Sequence, residues 1–144
     1  MKTSLRTVPD TNVIIAAQNV SATSPNREFV ERWENEEFEL LYADDTLREY
    51  IEKLLAYGVP REKIARLIVA IRKLGSFTPI RFFHIAKYPD DPDDIPFLLC
   101  AENGSATHLV SYDPHLLELN GFYQFKICTT LDFLFELRKV LSEQ

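Results

Sequence analysis

The sequence predicts an α/β fold, a central, mainly parallel sheet covered by helices on both faces, and three observations carry that reading. Short apolar runs alternate along the chain with segments of helical periodicity. Acidic residues recur directly after the apolar runs. The 144 residues, 46% hydrophobic and 26% charged, suit one domain over residues 1–144 with a sizeable buried core.

Each element can be justified in turn. Arg6-Thr7-Val8-Pro9 reads as a short strand that ends at the polar turn Asp10-Thr11-Asn12, with the apolar Val13 to Ala17 after it. Ser24-Pro25 reads as an N-cap followed by proline at the first helical position, and Phe29, Val30 and Trp33 give that helix its apolar stripe. Phe38 to Tyr42 is a buried strand. The helix after Asp44-Asp45 carries Leu47, Tyr50, Ile51, Leu54 and Leu55 on one face and stops at Gly58. From Pro60 to Leu74 a third helix has Ile64, Leu67, Ile68, Ile71 and Leu74 on one side and Arg61, Lys63, Arg66, Arg72 and Lys73 on the other. A strand is expected at Ile80 to Ile85, with Phe82 and Phe83 in the core. The acidic loop Asp90 to Asp94 opens a helix through Phe97 to Gly104, Thr107 to Ser111 is a strand ending at Tyr112-Asp113, and Tyr123 to Cys128 leads into a C-terminal helix over Leu131 to Leu141. Trp33 and the phenylalanines of that last helix suit either the core or a dimer surface.

Composition narrows the function. No stretch approaches the roughly 18 apolar residues of a membrane span, and the first residues lack a signal peptide's apolar region, so a soluble, cytoplasmic protein is expected. Cys100 and Cys128 sit in apolar runs and read as reduced core residues. Without a CxxC or spaced histidines there is no zinc signature. The net charge of −6 argues against gripping duplex nucleic acid with a broadly basic surface.

The acids themselves supply a hypothesis. Sites in open α/β sheets form outside the carboxyl ends of the strands. Asp10 ends the first strand, Asp113 follows the Thr107 to Ser111 strand, Asp94 opens the helix after the Asp-rich loop, and Glu49 lies in the first turn of the helix after the Phe38 to Tyr42 strand. Four carboxylates in one cleft repel one another unless cations neutralise them, and hard divalent ions such as Mg²⁺ or Mn²⁺ take oxygen ligands. That chemistry suits hydrolysis of a phosphodiester. These four acids account for four of the six units of net negative charge.

The run Val8-Pro9-Asp10-Thr11-Asn12-Val13, the segment Thr46-Leu47-Arg48-Glu49, Asp91-Pro92-Asp93-Asp94 with Phe97 to Ala101 after it, and Leu109 to Asp113 with Leu116-Leu117 together resemble a PIN domain. The likeness extends from about Arg6 to Phe135 and is strongest toward PIN proteins that serve as toxins of toxin–antitoxin modules. It implies an α/β/α fold and an endoribonuclease using Mg²⁺ or Mn²⁺, often a homodimer restrained by an antitoxin protein. Carried over, Asp10, Glu49, Asp94 and Asp113 are the metal-binding acids, Asn12 orients Asp10, and Ser111 precedes the fourth acid; Asp91, three residues before Asp94 and on the same face, is a candidate outer partner. The sequence departs from the family at Pro9, Tyr112 and Ile95-Pro96.

Other readings stand beside these. Asp91 and Asp94 have the spacing of an N-cap and the N3 position, Thr46 and Glu49 that of a capping box, and Asp10 with Asn12 that of a plain turn. Asp93 should point away as a solvated charge. Arg61, Arg66 and Lys73 are either a solvated helix face or RNA contacts, and Tyr112, beside the fourth acid, either narrows the cleft or stacks on a base. A catalytically silent PIN-like binding module is the alternative to the enzyme. A phosphatase with an aspartyl nucleophile ranks last, because Asn12 stands where such enzymes carry a second aspartate.

Overall fold

A computed structural model of the chain describes residues 2–18 and 23–144. Five strands form one all-parallel sheet: β1 (Arg6–Pro9), β2 (Glu39–Tyr42), β3 (Ser76–Phe77), β4 (His108–Val110) and β5 (Lys126–Cys128), in the order β3-β2-β1-β4-β5. The helices are α1 (Thr11–Ala17), α2 (Pro25–Glu34), α3 (Asp44–Tyr57), α4 (Arg61–Leu74), α5 (Ile95–Asn103), α6 (Pro114–Leu117) and α7 (Thr130–Ser142), with a 3₁₀ turn at Pro92–Asp94. Parallel strands need crossovers, and the crossover helices cover both faces. Helix α5 lies against β1, β2 and β4, while α2 and α7 pack on each other across the sheet. The result is the three-layer α/β/α architecture that the alternation predicts.

The strands are short apolar runs because both faces are covered: Val8, Leu40, Leu41, Leu109 and Val110 are fully buried. Phe29, Phe38 and Phe133 meet at ring centroids 4.9–5.5 Å apart and join α2, the residue entering β2, and α7, with Trp33 also buried. The aromatic face of α7 is thus divided, Phe133 inside and Phe135 exposed with Leu131. Gly58 ends α3 in the left-handed conformation (φ 91°), which suits a residue without a Cβ.

Proline in a strand costs a ladder hydrogen bond, yet Pro9 is tolerated. Asp10 N–H donates to Val110 O on β4, so by alternation the N–H that Pro9 lacks would face β2, where pairing stops at Thr7↔Leu40. The Tyr50 hydroxyl instead donates to Pro9 O.

Two expectations fail between α4 and α5. The strand predicted at Ile80 to Ile85 is irregular chain, and the third strand is Ser76–Phe77, paired with Leu41 and Tyr42. Asn103 replaces the missing ladder: its Oδ1 accepts from the Arg81 and Phe82 N–H groups, and its Nδ2 donates to Phe82 O. Phe82 and Phe83 are not core residues but are 44% and 71% exposed, because no layer lies outside this segment. Val13 to Ala17, after the first turn, is helical. Among the described residues no helix is long and apolar enough to cross a membrane. Cys100 is buried and Cys128 half-buried, both as free thiols, and burial pushes each thiol up to about 12.

Candidate functional site

In the order β3-β2-β1-β4-β5, the chain leaves β1 toward one side of the sheet and β4 toward the other, so a crevice opens between their carboxyl ends. Asp10 follows β1 and Asp113 lies three residues beyond the end of β4. A cleft of about 210 Å³ there is lined by Asp10, Asn12, Glu49, Asp91, Asp94 and Asp113, all of them expected from the sequence, and by Asp93, Lys53, Thr11, Ile15 and Phe97. Larger hollows, of about 430 and 470 Å³, lie at the amino edge of the sheet and between α2 and α4, but neither gathers buried carboxylates.

Local structure holds each acid in place. Asp10 caps α1: one carboxylate oxygen accepts the Thr11 N–H at 2.6 Å and the other the Ser111 hydroxyl at 2.6 Å. Ser111 is fully buried, and the same Oγ accepts the Asp113 N–H at 3.0 Å. One hydroxyl therefore couples the first acid to the fourth. Asp113 in turn caps α6 by accepting the His115 N–H. The side chain that hydrogen-bonds the Asp10 carboxylate is Ser111, while Asn12, expected in that role, leaves its Oδ1 buried without a partner.

The capping explanations apply to some acids and not to others. Asp91 caps the 3₁₀ turn, accepting the Asp93 N–H at 2.9 Å. Asp94 makes no capping hydrogen bond, is 7% exposed, and leaves its Oδ2 buried with no partner. Glu49 stands outside any capping box, because α3 begins at Asp44 and Thr46 is the residue whose hydroxyl reaches back to Ala43 N–H at 2.9 Å. Glu49 thus lies in the second turn of α3, not the first.

The electrostatics follow from crowding. Burial, with Asp10, Asp91, Asp113 and Asp93 around it, pushes Asp94 from an ordinary 3.8 to about 7. Burial also raises Asp10, against the hydrogen bonds from Ser111 and Thr11, and Asp113 and Asp91 add to the rise. Glu49 is raised by burial and by Asp93, with Lys53 opposing. Asp93 is exposed, as expected of a solvated charge, but it does not point away: it lines the cleft and pairs with Lys53 at 3.2 Å. Lys53 escaped the sequence reading, although its position four residues after Glu49 puts both on one face of α3.

The residues considered for RNA contact separate in space. Arg61, Arg66 and Lys73 are exposed on α4. Lys63 and Arg66 line the hollow against α2, whereas Arg72 faces α3, so the basic residues do not form one track. Tyr112 is outside the cleft lining, and its hydroxyl donates to Asn26 Oδ1 at 2.5 Å.

All-oxygen donors, crowded negative charge and the orphaned, buried Asp94 Oδ2 suit a hard divalent cation. Among the described residues no three such side chains already converge as a metal cage, so the fit is one of charge and donor type. Comparison with curated proteins finds no match. A family model described as PIN domain matches residues 6–115, from β1 through Asp113 and into α6, and with every one of the four acids inside that span the chain belongs to the PIN domain family.

Proposed function

We propose that this protein is a divalent-metal-dependent endoribonuclease, the cytoplasmic toxin of a toxin–antitoxin pair, working as a homodimer restrained by an antitoxin protein. The observation that carries the enzymatic reading is the partner-free, buried Asp94 carboxylate facing Asp10 and Asp113 at the crevice of the sheet. Membership of the PIN domain family, whose fold is that of a nuclease, supports it.

Asp10, Glu49, Asp94 and Asp113 would hold Mg²⁺ or Mn²⁺, which supplies charge to polarise a phosphate and to lower the pKa of an attacking water. The chain's own residues set the frame. Ser111 fixes the Asp10 carboxylate and the Asp113 backbone with one hydroxyl, Asp91 shapes the loop that delivers Asp94, and Ile15 and Phe97 give the cleft apolar walls. Single-stranded or looped RNA fits an edge cleft of this size, since its phosphates can enter without a duplex around them. Leu131 and Phe135, exposed on α7, are apolar groups that a subunit or antitoxin interface would cover.

The test is cleavage of labelled single-stranded RNA, structured RNA and DNA by wild type and Asp10→Asn, with Mg²⁺, with Mn²⁺ and with EDTA. RNA cutting that EDTA abolishes and Asp10→Asn reduces by about a hundredfold or more is expected. A folded protein that cuts nothing with either ion favours the second reading, a silent PIN-like binding module. Growth arrest on expression, relieved by the product of a neighbouring reading frame, tests the toxin assignment.

A further inference from the structure

The cleft has two chemically different ends. At one, Asp10, Asp94 and Asp113 act on one another, and the strongest electrostatic neighbours of Asp94 are all acids. At the other, Lys53 sits against Asp93 at 3.2 Å, and its charge acts on Asp93 and Glu49. Lys53 is the one cationic side chain among the described residues lining the cleft, against six carboxylates. Asp91, between the two ends, already accepts the Asp93 N–H. The orphaned, nine-tenths buried Asp94 oxygen therefore lies at the first end, where no cation answers the acids, while Lys53 offsets part of the negative charge at the other.

We propose that the cleft takes a single divalent cation, at the Asp10–Asp94–Asp113 end, and that the Lys53 ammonium occupies the place of a second ion at the Glu49–Asp93 end. An ammonium on a flexible four-carbon stem is a compact point charge, able to offset part of the charge of two carboxylates without demanding a fixed coordination shell. A second divalent ion beside it would meet like charge at short range. This inference rests on the metal-dependent reading above and narrows its ligand set from four acids to three, with Glu49 facing Lys53 instead of the ion.

The experiment counts Mn²⁺ bound per chain, from the loss of the free-ion electron paramagnetic resonance signal during titration above neutral pH. Wild type, Lys53→Met, Lys53→Arg and Asp94→Asn are compared. The expected result is one ion in wild type and in Lys53→Arg, two in Lys53→Met, and an affinity at least about tenfold weaker in Asp94→Asn. Lys53 is half-exposed, and an unchanged thermal unfolding curve for its variants confirms that the fold is retained. Two ions in wild type, or one in Lys53→Met, overturns the assignment of Lys53 while leaving the metal-dependent reading intact. No bound ion in wild type overturns both.

Discussion

At the amino edge of the sheet the first residues of four strands, Glu39, Arg6, His108 and Lys126, stand side by side and find partners, whereas at the carboxyl edge Asp10, Asp94 and Asp113 stand together with no cation among them. Arg6 pairs with Glu39 and donates to Gly104 O. Buried His108 meets Glu136 at 2.6 Å through Nε2 and Thr107 Oγ1 at 2.7 Å through Nδ1, and Lys126 reaches the same glutamate at 3.4 Å. The pKa directions follow. Burial pushes Glu136 up, but His108 and Lys126 outweigh it and hold the group below its ordinary value. Burial pushes Asp94 up with only acids to answer it. One edge is arranged for stability. The other keeps crowded acids with no cation to answer them, a pattern that clusters at functional sites.

If that contrast is right, removing charge has opposite effects at the two edges. The largest is expected from Asp94→Asn in the metal-free protein. Below about pH 4 Asp94 is protonated whether the chain is folded or not; as the pH rises toward 7 the unfolded chain releases a proton that the folded one keeps, so wild type loses stability over that window. The asparagine variant escapes the loss, and should unfold roughly 5 °C higher than wild type at about pH 8 in EDTA, with the difference vanishing near pH 4. Equal unfolding temperatures at the higher pH would mean that the carboxyl edge carries no strain.

Glu136→Ala is the mirror experiment. It leaves the buried His108 Nε2 without its partner and should cost about 1–3 kcal/mol in a urea unfolding titration. RNA cleavage should stay within about twofold of wild type, because the pair lies at the opposite edge of the sheet. The smallest effect is expected on α4, whose exposed charges belong to neither edge. Arg66→Glu with Lys73→Glu should shift stability by less than about 0.5 kcal/mol. The pair should nonetheless weaken RNA binding and flatten its salt dependence by about one to two units of slope if the helix touches the backbone. An unchanged slope removes α4 from the path of the RNA.

The chain's local pattern determined a good deal by itself. Apolar runs of four or five residues alternating with amphipathic stretches of ten or more specify parallel strands and their crossovers, and an acid placed just after β1 or shortly after β4 goes to the carboxyl edge by that topology alone. Asp10 and Asp113 were legible for that reason, Asp94 from its place at the start of a helix and Glu49 from the family resemblance, and all four line one cleft. What sequence spacing could not decide was which side chains answer one another across it. That Ser111 rather than Asn12 holds Asp10, that Lys53 answers Asp93 from another helix, and that Asn103 stands in for a strand at Arg81 and Phe82 are contacts between residues 21 to 101 positions apart. Such contacts depend on how helices settle on the sheet, a matter of packing and burial that local propensity does not encode. The same holds for Phe82 and Phe83, apolar enough for a core, yet left at the surface because the fold supplies no further layer to cover them.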